Sequence, residues 1–258
     1  MRSFLKKLIN GALRPFGCSI VGHTGAYPPP GRSNRPIANI LLFLEDINAR
    51  GIQCQGILDI GANEGEWTRM AMKVFPAAKY LLIEPQAEMA TKLDLLSAEH
   101  KNVEYVLAGA GSKESELIQT IYEDHRGSTF LPDSDPALVQ SGKQRKTKVI
   151  TVDALLKNRD FSPDIVKLDI QGFELEALRG ALSCFGRTEI FIVETALYRY
   201  YDAMPLTREI IQFMADQGYE LYDITEYLRR PFDGALGQVD LAFARTTGHL
   251  RKSSKWAS

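Results

Sequence analysis

The chain alternates between short, almost wholly apolar runs and longer segments whose apolar residues recur at helical spacing. Gly56–Ile60, Tyr80–Ile83, Ile165–Asp169 and Glu189–Glu194 read as buried strands. Glu66–Phe75, which stops at Pro76, reads as a helix, as do Ala87–Ser97, Phe173–Leu182 and Leu206–Gln217. Strands apolar on both faces must be covered on both faces, and repeated strand–helix units give a parallel sheet. The fold class is therefore α/β. The pattern also predicts a helix over Ile37–Arg50 closed by Gly51, and strands over Val103–Leu107 and Tyr219–Ile224. A closing antiparallel strand is expected over Val239–Ala244. In the less regular middle, Glu116–Tyr122 and Lys148–Val152 alternate like half-exposed strands. Between them a polar loop, Glu123–Arg145, carries His125 and part of a basic cluster, Lys143, Arg145, Lys146 and Lys148.

Ahead of this core, Met1–Phe16 is basic and amphipathic. Charge and Asn10 interrupt its apolar residues and no small-residue cleavage site follows, so it makes a poor signal peptide. It is expected to pack on the body or to take part in homodimer contacts; the alternative is weak attachment to a membrane surface. Four prolines and Gly25 and Gly31 make Gly22–Pro36 a linker or surface loop. The expected division is an N-terminal extension over 1–36, a main domain over 37–246 and a tail over 247–258. No apolar run is long enough to cross a bilayer. Lysine plus arginine (31) against aspartate plus glutamate (32) leaves a net charge of −1, which excludes a global basic field for nucleic acid. Three cysteines without a CxxC pair exclude a disulfide scaffold and point to a reducing, cytoplasmic setting.

Ligands of an open α/β sheet bind beyond the carboxyl ends of its strands. After the first strand stands Asp59-Ile60-Gly61-Ala62-Asn63-Glu64-Gly65-Glu66. Gly61 and Gly65 permit a sharp turn and close approach of a ligand, and the helix behind them offers free N–H groups. Asp59 suits a cation or ammonium group near that turn. After the second strand Glu84 is placed to accept both hydroxyl hydrogens of a ribose. The dinucleotide fingerprint would need glycine at 63 and 66, where this chain has Asn63 and Glu66, and a pyrophosphate would meet like charge. A ligand with a positive centre and a ribose, S-adenosylmethionine, fits better than NAD(P). An NAD(P)-dependent oxidoreductase and a non-catalytic nucleoside-cofactor-binding protein are the alternatives. A further constellation, Lys167-Leu168-Asp169-Ile170-Gln171-Gly172-Phe173-Glu174, puts Lys167 and Asp169 on one side of a strand end and Glu174 at a helix start.

The stretches ILDIGANEGEW, LLIEPQ, VKLDIQGFELEALRGA, IFIVETALY and LGQVDLAFAR, in that order, resemble the FkbM-type family of S-adenosylmethionine-dependent methyltransferases. The resemblance runs from about Ile37 to Arg245. It implies a Rossmann-like class I methyltransferase sheet, seven-stranded and mixed, with helices on both faces. It also implies methyl transfer to an oxygen, often of a sugar or polyketide. Gln171 stands where that family usually has glutamate. By the resemblance and the strand-end geometry together, Gly61, Ala62, Asn63 and Gly65 line the methionine end of the cofactor. Glu84 and Pro85 hold the ribose, Ala108 and Gly109 lie by the adenine, and Asp169 sits near the methionine amino group or the reacting methyl. The expected proton acceptors are Asp169, Glu174, Glu194 and His125, and Tyr198, Tyr200 and Tyr201 are read either as a wall for the acceptor or as a packed helix edge. The substrate is expected to be a small-molecule or glycan hydroxyl. No fixed ligand spacing supports a metal, and none is assigned.

Overall fold

The computed structural model describes residues 35–123, 125–132, 138, 141 and 143–255; the amphipathic helix expected over Met1–Phe16 and the proline-rich linker lie outside them. Within Pro36–Ser258, α1 (Ile40–Ala49) leads into β1 (Gly56–Ile60), α2 (Glu66–Val74) and β2 (Lys79–Glu84). A 3-10 turn over Ala87–Met89 precedes α3 (Ala90–Glu99), β3 (Val103–Leu107), β4 (Gly109–Ala110), β5 (Ser115–Thr120) and β6 (Gln144–Ile150). Then come α4 (Val152–Leu156), β7 (Ile165–Leu168), α5 (Glu174–Arg179), β8 (Ile190–Ala196), α6 (Thr207–Asp216), β9 (Tyr219–Arg229) and β10 (Leu236–Arg245).

Seven strands form one sheet in the order β3-β2-β1-β7-β8-β10-β9. From β3 to β8 the neighbours run parallel, while β10 is antiparallel to both β8 and β9. The expected seven-stranded mixed sheet of a Rossmann-like class I methyltransferase is what the chain forms. From β1 the chain steps outward to β2 and β3, then returns to the other side of β1 as β7. That reversal opens a crevice at the carboxyl ends of β1 and β7.

Period-two geometry explains the core. Leu58, Ile60, Val166, Leu168, Phe191 and Val193 fill one face of the sheet, while Ile57, Ile165, Ile190 and Ile192, from the same strands, fill the other. Each is essentially inaccessible, and burying each side chain contributes about 1.5–3 kcal/mol.

The middle of the chain departs from expectation. A second sheet, β4-β6-β5, follows β3. The strand expected over Lys148–Val152 runs instead over Gln144–Ile150, because Thr151 caps α4, its hydroxyl accepting the Ala154 N–H at 3.1 Å. Arg145 and Lys146 therefore join Lys148 in the strand, and Arg145 is bidentate to Glu88 at 2.6 and 2.7 Å. The helix expected from Phe173 to Leu182 ends at Arg179, because Gly180 lies against the backbone: a Cβ there would stand 2.0 Å from the Gly111 carbonyl oxygen. β9 and β10 extend well past their apolar parts. Glu226, Tyr227 and Leu228 continue the ladder beyond the body of the sheet, where periodicity gave no strand signal.

Candidate active site

A cleft of about 550 Å³ lies over the carboxyl ends of β1, β2, β7 and β8. At its floor the chain leaves β1 through Gly61, at φ +82°. A Cβ on Gly61 would lie 2.0 Å from the Asp169 carbonyl oxygen, so glycine is required where the β7 loop crosses the β1 turn. Gly61, Ala62 and Asn63 line the cleft. Gly65 does not. It caps α2 from behind, at φ +78°, where a Cβ would meet Leu96 Cδ2 at 2.7 Å, so it serves packing against α3.

Asp59 also departs from expectation. It is wholly buried, accepts the Thr68 hydroxyl at 2.6 Å, and its cationic partner is Lys167 Nζ at 3.5 Å rather than a ligand. Lys167 also donates to the Gly61 carbonyl at 3.1 Å and pairs with Asp169 at 3.3 Å. Burial alone works against its charge, yet Asp169, Asp59 and Asp240 raise its pKa above the ordinary lysine value.

Glu84 closes the second strand as expected. It is only 2% exposed, and its oxygens accept the Asn63 N–H at 2.8 Å, the Gln86 N–H at 2.9 Å and the Gln86 side-chain amide at 3.2 Å. Burial raises its pKa above the usual carboxylate value, opposed by those hydrogen bonds and by Lys167. Pro85, Ala108 and Gly109 continue this wall, and the Phe130 ring lies so close over Gly109 that a Cβ would be 2.5 Å from it.

His125 belongs to this end. Its carbonyl accepts the Asn63 side-chain amide at 3.0 Å and that of Gln86 at 2.8 Å, and its Nδ1 lies 3.1 Å from Gln86 Oε1. Because Gln86 presents an acceptor there, Nδ1 carries the proton and the ring's free lone pair is on Nε2. Its partners join it to Glu84 rather than to the strand-end carboxylates.

At the other end Gln171, in a left-handed backbone at φ +55°, donates through Nε2 to Asp169 Oδ1 at 3.0 Å and to Glu194 Oε2 at 2.9 Å. Asp169, Gln171 and Glu194 all line the cleft. Glu174 does not. It folds back over the turn, accepting the Ile170 N–H at 2.9 Å and the Gly172 N–H at 3.2 Å, and burial lifts its pKa to about 7. It braces the loop and is not placed as a proton acceptor. Sequence reasoning missed the residues beside it. Asp240 on β10 stands opposite Glu194 on β8 and opposite Glu226 on β9, making a row of three carboxylates across the sheet. Burial first, then Asp169, raises Glu194 well above the usual carboxylate range and Asp240 to about 7. No single stretch of sequence signals that row, which depends on antiparallel register. Among the described residues no three His, Cys, Asp or Glu are arranged to hold a metal ion.

The tyrosines after β8 do not wall the cleft. Tyr198 and Tyr200 face each other at 6.4 Å with Arg230 3.9 Å from the Tyr198 ring centroid, and Tyr201 meets the Tyr122 hydroxyl at 3.0 Å. Tyr227 and Leu228 line the cleft in their place.

The profile of the methyltransferase FkbM domain matches residues 59–221. No curated protein matches the chain significantly in sequence. Among solved structures, a precorrin-6y C5,15-methyltransferase from Geobacter metallireducens is 11% identical, with 86% of this chain and 100% of that one covered and a TM-score of 0.44. A 1,6-didemethyltoxoflavin-N1-methyltransferase from Burkholderia thailandensis, with bound 1,6-didemethyltoxoflavin and S-adenosylhomocysteine, is 11% identical over 81% and 79% of the two chains, at a TM-score of 0.42. Fibrillarin from Aeropyrum pernix, with natively bound S-adenosylmethionine, is 12% identical over 72% and 66%, at 0.41. With the profile spanning most of the chain and the sheet order above, the chain belongs to the FkbM family of methyltransferases, and its cofactor is S-adenosylmethionine.

Proposed function

We propose that this methyltransferase acts on a hydroxyl oxygen, of a sugar or glycan, with Asp169 as the proton acceptor. The observation that carries this reading is the Gln171 amide, which holds the Asp169 and Glu194 carboxylates side by side at the ends of β7 and β8, facing the cleft. Removing an alcohol proton needs a fixed carboxylate within hydrogen-bond reach of the acceptor. An aspartate carboxylate offers about four acceptor positions. Lys167 and Gln171 engage Asp169 in two directions, which leaves room for a substrate hydroxyl.

The cleft fits the cofactor. Its volume of about 550 Å³ lies within the 300–1,000 Å³ typical of small-molecule sites. Glu84 is a buried carboxylate turned to the cleft, and with three of its about four acceptor positions taken by Asn63 and Gln86 it keeps one for a ribose hydroxyl, while Pro85, Ala108 and Gly109 make an apolar wall suited to an adenine. Gly61, Ala62 and Asn63 would hold the methionine end. When bound, S-adenosylmethionine supplies an electrophilic methyl group. The protein contributes alignment and a proton acceptor, both of which its own residues fix in advance. Glu194, whose pKa burial and then Asp169 raise well above the ordinary carboxylate value, stands beside Asp169 to orient the acceptor, and Tyr227 and Leu228 form the outer wall on that side.

Polyhydroxylated acceptors match a pocket end rich in carboxyl groups, each able to take a hydroxyl hydrogen. Nucleic acid does not match it, because phosphates would meet the Glu194–Asp240–Glu226 row. Among the described residues no helix is long and apolar enough to cross a membrane, and the cysteine pattern favours a cytoplasmic enzyme. The test is to titrate the protein calorimetrically with S-adenosylmethionine, NAD and NADP, then to screen sugars and glycosides for transfer of a labelled methyl group. Saturable binding of S-adenosylmethionine alone and label recovered as a methyl ether are expected. Label recovered on nitrogen or carbon would overturn the hydroxyl reading.

A further inference from the structure

Gln86 is buried, and every hydrogen-bonding position of its side-chain amide is used. Nε2 donates one hydrogen to Glu84 Oε1 at 3.2 Å and the other to the His125 carbonyl at 2.8 Å. Its Oε1 accepts the Ser128 hydroxyl at 3.0 Å and faces His125 Nδ1 at 3.1 Å. Reversing the amide would set its oxygen against two acceptors, so the network fixes its orientation. Asn63 repeats the arrangement from the other side. Its N–H reaches Glu84 Oε2 at 2.8 Å while its side-chain amide reaches the same His125 carbonyl at 3.0 Å. Two residues thus bridge one carboxylate and one carbonyl, Gln86 through its side-chain amide and Asn63 through its backbone N–H and its side chain, and that carbonyl has both lone pairs occupied. Asn63 and His125 both hold left-handed backbone, at φ +48° and +56°, a conformation that ordinary residues keep only when their surroundings demand it. The segment's exposed ion pair, Arg126 with Glu66 at 3.2 Å, adds little fastening of its own.

We propose that Gln86 and Asn63 form a positioning clamp that joins the cofactor carboxylate Glu84 to the segment His125–Thr129, so that adenosine binding and the seating of that segment are one event. The inference rests on Glu84 being the ribose acceptor. Moving Glu84 would pull on Gln86 and Asn63 and hence on the His125 carbonyl; releasing that carbonyl would free both side-chain amides and loosen Glu84. Ser128 tests the coupling because it touches Gln86 and not Glu84.

The experiment combines calorimetric titration with S-adenosylhomocysteine and hydrogen exchange at the amides of His125–Thr129, with and without that ligand. In the unaltered protein the ligand should slow exchange across the segment. Gln86→Leu should weaken binding by roughly 10- to 100-fold, the range expected when buried charged-group hydrogen bonds go unmade, and abolish the slowing. Ser128→Ala, on the part-exposed side of the clamp, should keep the thermal midpoint and still weaken binding by a few fold. If Glu84→Gln weakens binding while Ser128→Ala does not and exchange in the segment ignores the ligand, the clamp is overturned and the ribose reading stands. If Glu84→Gln binds as tightly as the unaltered protein, the ribose reading falls and the clamp falls with it.

Discussion

The two ends of the cleft treat their carboxylates in opposite ways. At one end Glu84 is fully buried, and both its oxygens receive N–H groups from Asn63 and Gln86. At the other, Glu194, Asp240 and Glu226 stand beside one another on three adjacent strands, and Gln171 supplies one donor to Glu194. Opposed like charges in neighbouring strands destabilise a sheet. A site that meets the same ligand at every turnover gains from donors fixed in advance, since nothing has to reorganise on binding. A row of carboxyls with few donors instead waits for hydrogens from outside. The donor-rich end is built for a constant partner, the cofactor, and the donor-poor end for the acceptor.

The hardest test of that contrast is Asp169→Asn. If Asp169 accepts the proton, methyl transfer to an acceptor found by screening should fall by about 100- to 10,000-fold, while S-adenosylhomocysteine affinity changes by no more than a few fold. Lys167 keeps Asp59 as a partner at 3.5 Å, so the variant should fold. Equal losses in binding and transfer would move Asp169 to the cofactor end and erase the division. Next in size is Gly61→Ala. The added Cβ would collide with the Asp169 carbonyl oxygen on a backbone at φ +82°. Cofactor affinity should drop by about 100-fold or more, read by calorimetry beside a circular dichroism melt. Unchanged binding would mean that the β1 turn does not cradle the cofactor.

A smaller effect is expected from Gln171→Glu, which restores the residue usual in the family. The bridging donor becomes a third carboxylate between Asp169 and Glu194. Mutual repulsion makes each of the three hold its proton more tightly, so the rising limb of the pH–rate profile should move up by about one unit. A profile that does not move would show that the amide bridge has no part in setting the base.

These residues also show what a sequence discloses. Gly61, Asn63, Glu84, Ala108 and Asp169 were legible because each lies at the end of an apolar strand, and the carboxyl ends of parallel strands point to the crevice. Asp59 misled because it sits within β1. Its neighbours Leu58 and Ile60 share one face of the sheet, which sends Asp59 to the other, beneath Thr68. Glu174 misled because a side chain at a helix start can fold back onto the turn before it, as it does on Ile170 and Gly172. Gln86 and Asp240 lie within the family-like stretches LLIEPQ and LGQVDLAFAR, but neither had a role that the sequence could assign. The contacts of Gln86 depend on a loop far along the chain, and those of Asp240 on the register of β10 against β8 and β9, which alternation of polarity does not fix beyond the buried part of the sheet.

The acid row makes a stability prediction as well, the smallest in size. The ordinary pKa of Asp240 is 3.8, and burial with Asp169 and Glu226 nearby raises it to about 7 in the folded protein. A carboxyl raised in this way favours folding while protonated. That contribution is intact below the unfolded value, near 3.8, and is lost as pH rises through the folded value, near 7. Above pH 7 the folded state therefore carries the full cost of an ionised Asp240. Asp240→Asn removes this cost while keeping the shape, so it should stabilise the protein by roughly 1–2 kcal/mol at pH 8, a rise of a few degrees in Tm. Near pH 4 the same variant should be close to neutral, because Asp240 is protonated in the folded protein there and no repulsion is relieved. Thermal melts of both proteins at the two pH values decide it. A Tm difference that is the same at pH 4 and pH 8 would mean that Asp240 ionises as freely in the fold as in the unfolded chain, and the donor-poor end would then be no more strained than the donor-rich one.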